Sequence, residues 1–192
     1  MAGGIIIAAA AGAAHKQAVE RANQAWAPYA KAKGLALRVG RVEDSLSEEP
    51  RVHGTIDGVS IAFQLAMIAQ EWGVTAIAVP LAPIGLELEI TREGLFAKIA
   101  KVFGAKDLVL GDPTFDKAYL VSTTNECARD LLTEATRADM LALDLATLAY
   151  DDGTKGEQKA KLVIGIPRLI TQPAELDRML KLLVTLANVK PA

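Results

Sequence analysis

The apolar and polar positions divide the chain into helical and extended stretches. Ala18, Ala22, Ala25, Trp26 and Tyr29 recur at helical spacing among Gln, Glu, Arg and Lys, which predicts a first helix over 5–33. Pro28 predicts a kink or local break in it, and Gly34 follows Lys31 and Lys33 as a C-cap. In "LALRVGRV" (35–42), Leu35, Leu37 and Val39 share one face of a strand, and an acidic loop over 43–50 follows. Asp57-Gly58 between two alternating runs is the signature of a two-residue type I′ hairpin. Val59, Ile61, Phe63, Leu65 and Met67 alternate with Ser60, Ala62, Gln64 and Ala66, a half-buried antiparallel strand. A turn at "QEWG" (70–73) leads to strands over 74–82 and 86–90, with Pro80 at an edge or strand terminus and Glu87 and Glu89 on a solvated side. Leu95, Phe96, Ile99, Val102 and Phe103 form the stripe of a short helix over 93–103.

The second half opens with a turn and a strand, "KAYLVST" (117–123). Thr123-x-x-Glu126 matches a capping box and predicts a helix carrying Cys127, Ala128, Leu131 and Leu132; Thr133 starts a second piece through Leu143. Strands near 145–150 and 160–166 flank a polar turn and read as a hairpin. Pro173 opens the last helix, with Leu176, Met179, Leu180, Leu183, Leu186 and Ala187 as its buried stripe and an end near Val189. Strands and helices do not alternate singly, so the fold class is α+β: an antiparallel sheet, a strand meander with hairpins, packed by helices. Two α+β halves are one arrangement of it. The division is a helix over 1–34, a meander with a helix over 35–104 and a strand–helix–hairpin–helix part over 105–192, with 35–192 as a single domain the alternative.

Composition narrows the function classes. At 51 % apolar and 23 % charged residues over 192 positions, the chain is globular and long enough for a sizeable core. The net charge of −2, the interspersed basic residues and the 5 % aromatic content disfavour a nucleic-acid partner. Cys127 is the sole cysteine, so there is no intramolecular disulfide and no cysteine zinc site, which fits a reducing, cytoplasmic setting. The apolar run "GIIIAAAAGAA" (4–14) is cut short by His15, Lys16, Glu20 and Arg21, below the length of a membrane span. It reads as a helix that packs on something, with a membrane-surface or oligomer contact as the alternative.

Candidate chemistry is sparse. Asp112 and Asp116 in "GDPTFDKAYLV" (111–121) could share a divalent cation, but Gly-Asp-Pro favours a turn in which Asp112 accepts backbone N–H bonds and Phe115 plugs the core. His15 falls on an exposed helix face and His53 on a sheet face, neither beside a nucleophile motif. Cys127 in a first helical turn lacks a nearby base and reads as a core residue. Asp151 and Asp152 belong to an ordinary hairpin turn. No phosphate loop, dinucleotide fingerprint or His/Cys ligand cluster is present. The expectation is therefore no catalytic, cofactor-binding or metal residue and no cofactor.

"GDPTFDKAYLV" followed by "ARDLLTEATRADMLAL", with "WAPYAKAKG" upstream, resembles bacterial proteins of unknown function. In them a Gly-Asp-Pro-x-Phe-Asp turn leads into a strand and then a helix beginning Ala-x-x-Leu-Leu-Thr. The resemblance implies a recurring structural turn at Asp112–Asp116 and no activity. The leading expectation is a noncatalytic binding or scaffold module for a protein partner, a second copy or a small apolar ligand. The alternatives are a small metal-assisted enzyme using Asp112 and Asp116 with His53, and a peripheral membrane adaptor acting through the first helix.

Overall fold

The structure is a computed structural model that describes residues 3–43, 46–79, 85–94, 106–151 and 160–189. Helix α1, Gly3–Lys33, runs through Pro28 as one element, without the predicted break. Pro28 and Gln24, whose carbonyl loses its helical donor there, both lie on the exposed side, where water can take the bond. The helix ends on Gly34 at φ 67°. Leu35 N–H donates to Ala30 O (2.8 Å) and Gly34 N–H to Lys31 O (3.3 Å), a Schellman closure with the apolar Leu35 buried behind it.

The predicted strand over 35–42 is split into β1, Ala36–Arg38, and β2, Arg41–Glu43. The cause is a side chain from α1. Asn23 Nδ2 donates to Gly40 O and Gly40 N–H donates to Asn23 Oδ1, both at 2.9 Å, so an amide satisfies the backbone where a strand partner would. The acidic loop is also more ordered than expected, because β3, Leu46–Glu48, pairs with β2 in a small ribbon.

Strands β4 (Arg51–Ile56), β5 (Val59–Ile68) and β6 (Glu71–Val79) form the meander. Asp57 (φ 50°) and Gly58 (φ 81°) occupy the hairpin turn between β4 and β5. The next turn is not at "QEWG". Ala69 (φ 50°) and Gln70 (φ 72°) make it, and Glu71, Trp72 and Gly73 already pair in β6. Then come β7 (Leu88–Arg92) and β8 (Lys106–Asp107). The 117–123 strand is shorter than expected: α2 (Pro113–Ala118) takes its start and β9 is Tyr119–Thr123. Helices α3 (Ala128–Leu131) and α4 (Glu134–Leu143) follow. The hairpin of β10 (Thr147–Asp151) and β11 (Lys161–Ile166) leads to α5 (Pro173–Ala187).

Thr133 caps α4 by accepting from Thr136 N–H at 3.2 Å. The Thr123 capping box does not form: Thr123 lies in β9 with its hydroxyl donating to Glu87 O (3.0 Å), and Asn125 Oδ1 takes Cys127 N–H instead. Pro80, the stripe from Leu95 to Phe103 and the polar turn over 152–159 lie outside the described residues.

All pairings in the main sheet are antiparallel, in the order β1-β4-β5-β6-β11-β10-β7-β9-β8. The β10–β11 hairpin is inserted between β6 and β7, so strands from both halves of the chain share one sheet and one apolar core. This is the α+β architecture that the patterning predicts. Helices α1, α4 and α5 cover one face. Trp26 of α1 is fully buried, meets Phe63 of β5 edge-on at 5.0 Å, and donates its indole N–H to Ile170 O at 2.8 Å. Such an aromatic pair adds about 0.5–1.5 kcal/mol to the burial of its rings. At the rim, Tyr29 Oη donates to Asp177 Oδ1 (2.8 Å) and Lys33 Nζ lies 2.7 Å from the same oxygen, tying α1 to α5. Lys33 and then Tyr29 hold Asp177 below the usual carboxylate range, while burial first, and Asp177 second, raise the Tyr29 phenol.

Candidate binding face

The Asp112–Asp116 turn is built from its own backbone. Asp112 is the N-cap of α2, and its Oδ1 accepts from Thr114 N–H (3.2 Å) and Phe115 N–H (3.1 Å). Its Oδ2 accepts from Arg137 Nε of α4 at 2.9 Å. Asp116 accepts from Leu110 N–H (3.0 Å) and Gly111 N–H (2.8 Å), one on each oxygen. The Phe115 amide first, then the Arg137 side chain, hold the Asp112 carboxyl below its ordinary value. All four carboxylate oxygens are thus engaged in fixing Phe115, which is completely buried against Tyr119 at 4.9 Å. Burial pushes the Tyr119 phenol up to about 12.

His53 does not meet this pair. It stands on β4, six strands from β9 in the sheet order, roughly 29 Å at about 4.8 Å per strand. His15 is not on an exposed face either. Its ring stacks on Trp72 (4.1 Å, 8°), and Nε2 lies 2.7 Å from Glu49 Oε1. Ser47 Oγ also approaches Nε2, at 3.4 Å. A hydrolytic triad needs its acid on Nδ1 and its nucleophile on Nε2; here both share one nitrogen, so the cluster ties α1 to the β3 ribbon. Cys127 is partly buried just before α3. Asp151 ends β10, 3.9 Å from Lys161 Nζ; Asp152 lies outside the described residues. Among the described residues no group of His, Cys, Asp and Glu could hold a metal ion.

The sheet face opposite the helices carries the more informative geometry. Alternation sends Val52, Ile61, Phe63, Ala76, Ala78 and Ile164 to the helix side, and their neighbours line the other. Register then fixes the rows. One row runs Ala36–His53–Ala62–Ile77–Val163–Ala149–Glu89–Ser122–Asp107 across the strands. The next begins Arg38–Arg51–Gln64–Thr75. Taken together the rows are therefore basic at the β1–β4 end, small and apolar along the middle of the first row and acidic at its other end, with the Asp151–Lys161 pair flanking the strip on the same face. At the basic end lies an open trough of about 500 Å³ lined by Arg38, Arg51, His53, Ser60, Ala62 and Ile77. At the acidic end, partial burial raises the Glu89 carboxyl.

Arg38 and Arg51 are Cα partners, directly opposite on the same face and both exposed. Neither has an ion pair or side-chain hydrogen bond among the described residues. A second cleft, about 550 Å³ between α1, α4 and α5, differs: its Lys33, Arg178 and Lys181 already face Asp177 or Asp139. Sequence reading singled out His53 in the trough but not the two arginines. Their only sequence signal is the alternation of Arg51, His53 and Thr55, and the pairing with Arg38 depends on register.

No protein-family model matches the chain, and no curated protein does. Among solved structures it is similar to the mycobacterial trehalose monomycolate transport factor A, TtfA, with a TM-score of 0.57 and 14 % identity over 86 % of this chain and 92 % of that one. At that identity the likeness is one of fold: an α+β sheet with helices on it. Among the described residues no helix is long and apolar enough to cross a membrane.

Proposed function

We propose that the chain is a noncatalytic binding module that takes a small, elongated apolar ligand on the open face of its sheet. The observation that carries this reading is the row His53–Ala62–Ile77–Val163–Ala149, whose small and β-branched side chains lie on a face that no described helix covers. At about 4.8 Å per strand, the four steps from β4 to β10 span roughly 19 Å, room for an extended chain laid across the strands. The structural neighbour is a transport factor, which supports a carrier or adaptor class over a catalytic one. The chemistry agrees, since the acidic turn spends its oxygens on its own backbone and on Arg137, and His15 is held by Glu49 and Trp72.

The test is a backbone-amide NMR titration with single-chain amphiphiles of several head groups, each below its micelle concentration. Saturable shifts should centre on Ala62, Ile77, Val163 and Ala149, and Ile77→Glu should abolish them while preserving the fold. Shifts confined to the helix layer, or no saturable shifts with any head group, refute the reading.

A further inference from the structure

We infer that the trough selects ligands with an anionic head, a phosphate monoester or carboxylate on a single apolar chain, and that Arg38 and Arg51 grip that head. The inference rests on the binding-face reading and names its ligand class. Three observations carry it. First, Arg38 and Arg51 are directly opposed on β1 and β4, where Cβ atoms stand about 4.5–5.5 Å apart. Like charges in that relation destabilise a strand pair, and the described structure gives neither guanidinium a carboxylate. An anion placed between them removes the repulsion and gains charge-assisted hydrogen bonds in the forked geometry that suits phosphate and carboxylate.

Second, the pair opens onto the apolar row. His53 and Gln64 adjoin Arg51 along and across the strands, and Ala62 and Ile77 follow at once. A head held at the arginines directs its chain toward Val163 and Ala149. Third, the far end of that row is closed to an anion by Glu89 and Asp107, which gives the ligand one orientation. Charge and polarity thus run in the same sense along the row: cation, apolar strip, carboxylates, with the Asp151–Lys161 pair beside the strip adding one charge of each sign. A neutral or cationic head satisfies neither end.

The experiment is calorimetric titration of the whole chain with dodecyl phosphate, dodecyl maltoside and inorganic phosphate, below micelle concentrations and at two ionic strengths. Dodecyl phosphate should bind, and should weaken as salt rises because the arginines are exposed. Arg38→Gln and Arg51→Gln should each weaken it about tenfold, and Asp107→Asn, at the other end of the face, should not weaken it. Both arginine variants should melt no lower than the parent, since each removes a like-charge contact, so a loss of binding is not a loss of fold. Dodecyl maltoside binding as tightly as dodecyl phosphate, with Ile77→Glu abolishing both, overturns the head-group inference and leaves the binding face standing. Binding of neither chain overturns both. Inorganic phosphate binding as tightly as dodecyl phosphate overturns the amphiphile in favour of a free anion. Arginine variants that bind dodecyl phosphate like the parent overturn the role given to the pair.

Discussion

Phe115→Ala tests whether the acidic turn exists to seat a core residue. The ring is completely buried, lies 4.9 Å from the Tyr119 ring, and is held by Asp112 through its own backbone N–H. Deleting a buried benzyl group costs about 3–5 kcal/mol, the transfer term plus the cavity left behind. The lost aromatic contact accounts for roughly 1 kcal/mol of this. Relaxation should be limited, because the start of α2 is clamped twice, with Arg137 on Asp112 and the Leu110 and Gly111 amides on Asp116. A working value is therefore about 4 kcal/mol. With a urea dependence of about 2 kcal/mol per molar, the midpoint should fall by roughly 2 M at an unchanged slope. Phe115→Leu, which keeps most of the volume, should cost about 1 kcal/mol and shift the midpoint by roughly 0.5 M. The assay is equilibrium urea unfolding followed by far-UV circular dichroism. A Phe115→Ala midpoint within about 0.5 M of the parent would show that the turn does not exist to anchor this ring.

Three further perturbations probe separate features. Gly73 lies in β6 where an added methyl would sit inside contact distance of Ile166 O and 3.0 Å from Arg168 N, so Gly73→Ala forces backbone apart. It should cost about 3 kcal/mol and lower Tm by roughly 6–12 °C, and an unchanged Tm would contradict that close approach. Ala69 and Gln70 hold positive φ without being glycine, so replacing them with Asn-Gly should stabilise by roughly 1 kcal/mol in urea melts; a loss of stability would mean that this turn is not the left-handed one described. Burial raises the Glu89 carboxyl, so its contribution is fully present below the ordinary Glu value and is lost as pH rises through the raised one. Glu89→Gln should therefore stabilise at pH 7 and change little near pH 3, and equal effects at both would remove the desolvation argument.

Where neighbouring residues set the structure, the sequence was legible. Asp57-Gly58 turns where it was expected because a type I′ turn depends on its own two residues. The α5 stripe from Leu176 to Ala187 is buried as its spacing predicts, and Gly34 caps α1. Three of the misreadings share one cause, a distant group outbidding the local signal. Asn23 breaks the strand at Gly40, Glu87 O takes the Thr123 hydroxyl from its capping box, and Trp72 with Glu49 draws His15 off the surface. The open face was half legible. Its small and apolar members could be read from the alternation in β5, but the meeting of Arg38 with Arg51 required the β1–β4 register.

That meeting is also the strongest reason to place function there. Most local rules in this chain agree with its fold: apolar alternation faces the helices, caps close α2 and α4, and the cations of the α1–α5 cleft have carboxylate partners. Arg38 opposite Arg51 breaks the rule that directly opposed side chains should not repel. The edge strand β1 is only three residues long, and a neutral residue at Arg38 would leave its pairing with β4 intact and relieve the repulsion. The arrangement therefore costs the sheet something and stabilises nothing else in the described structure. A local cost without a return in the described structure, placed beside an apolar strip on a face that no described helix covers, is what a binding site for a complementary charge requires. The helix layer makes that cost tolerable. With Trp26, Phe63 and the α5 leucines supplying the core, the opposite face is free to carry charges in an order that serves a ligand.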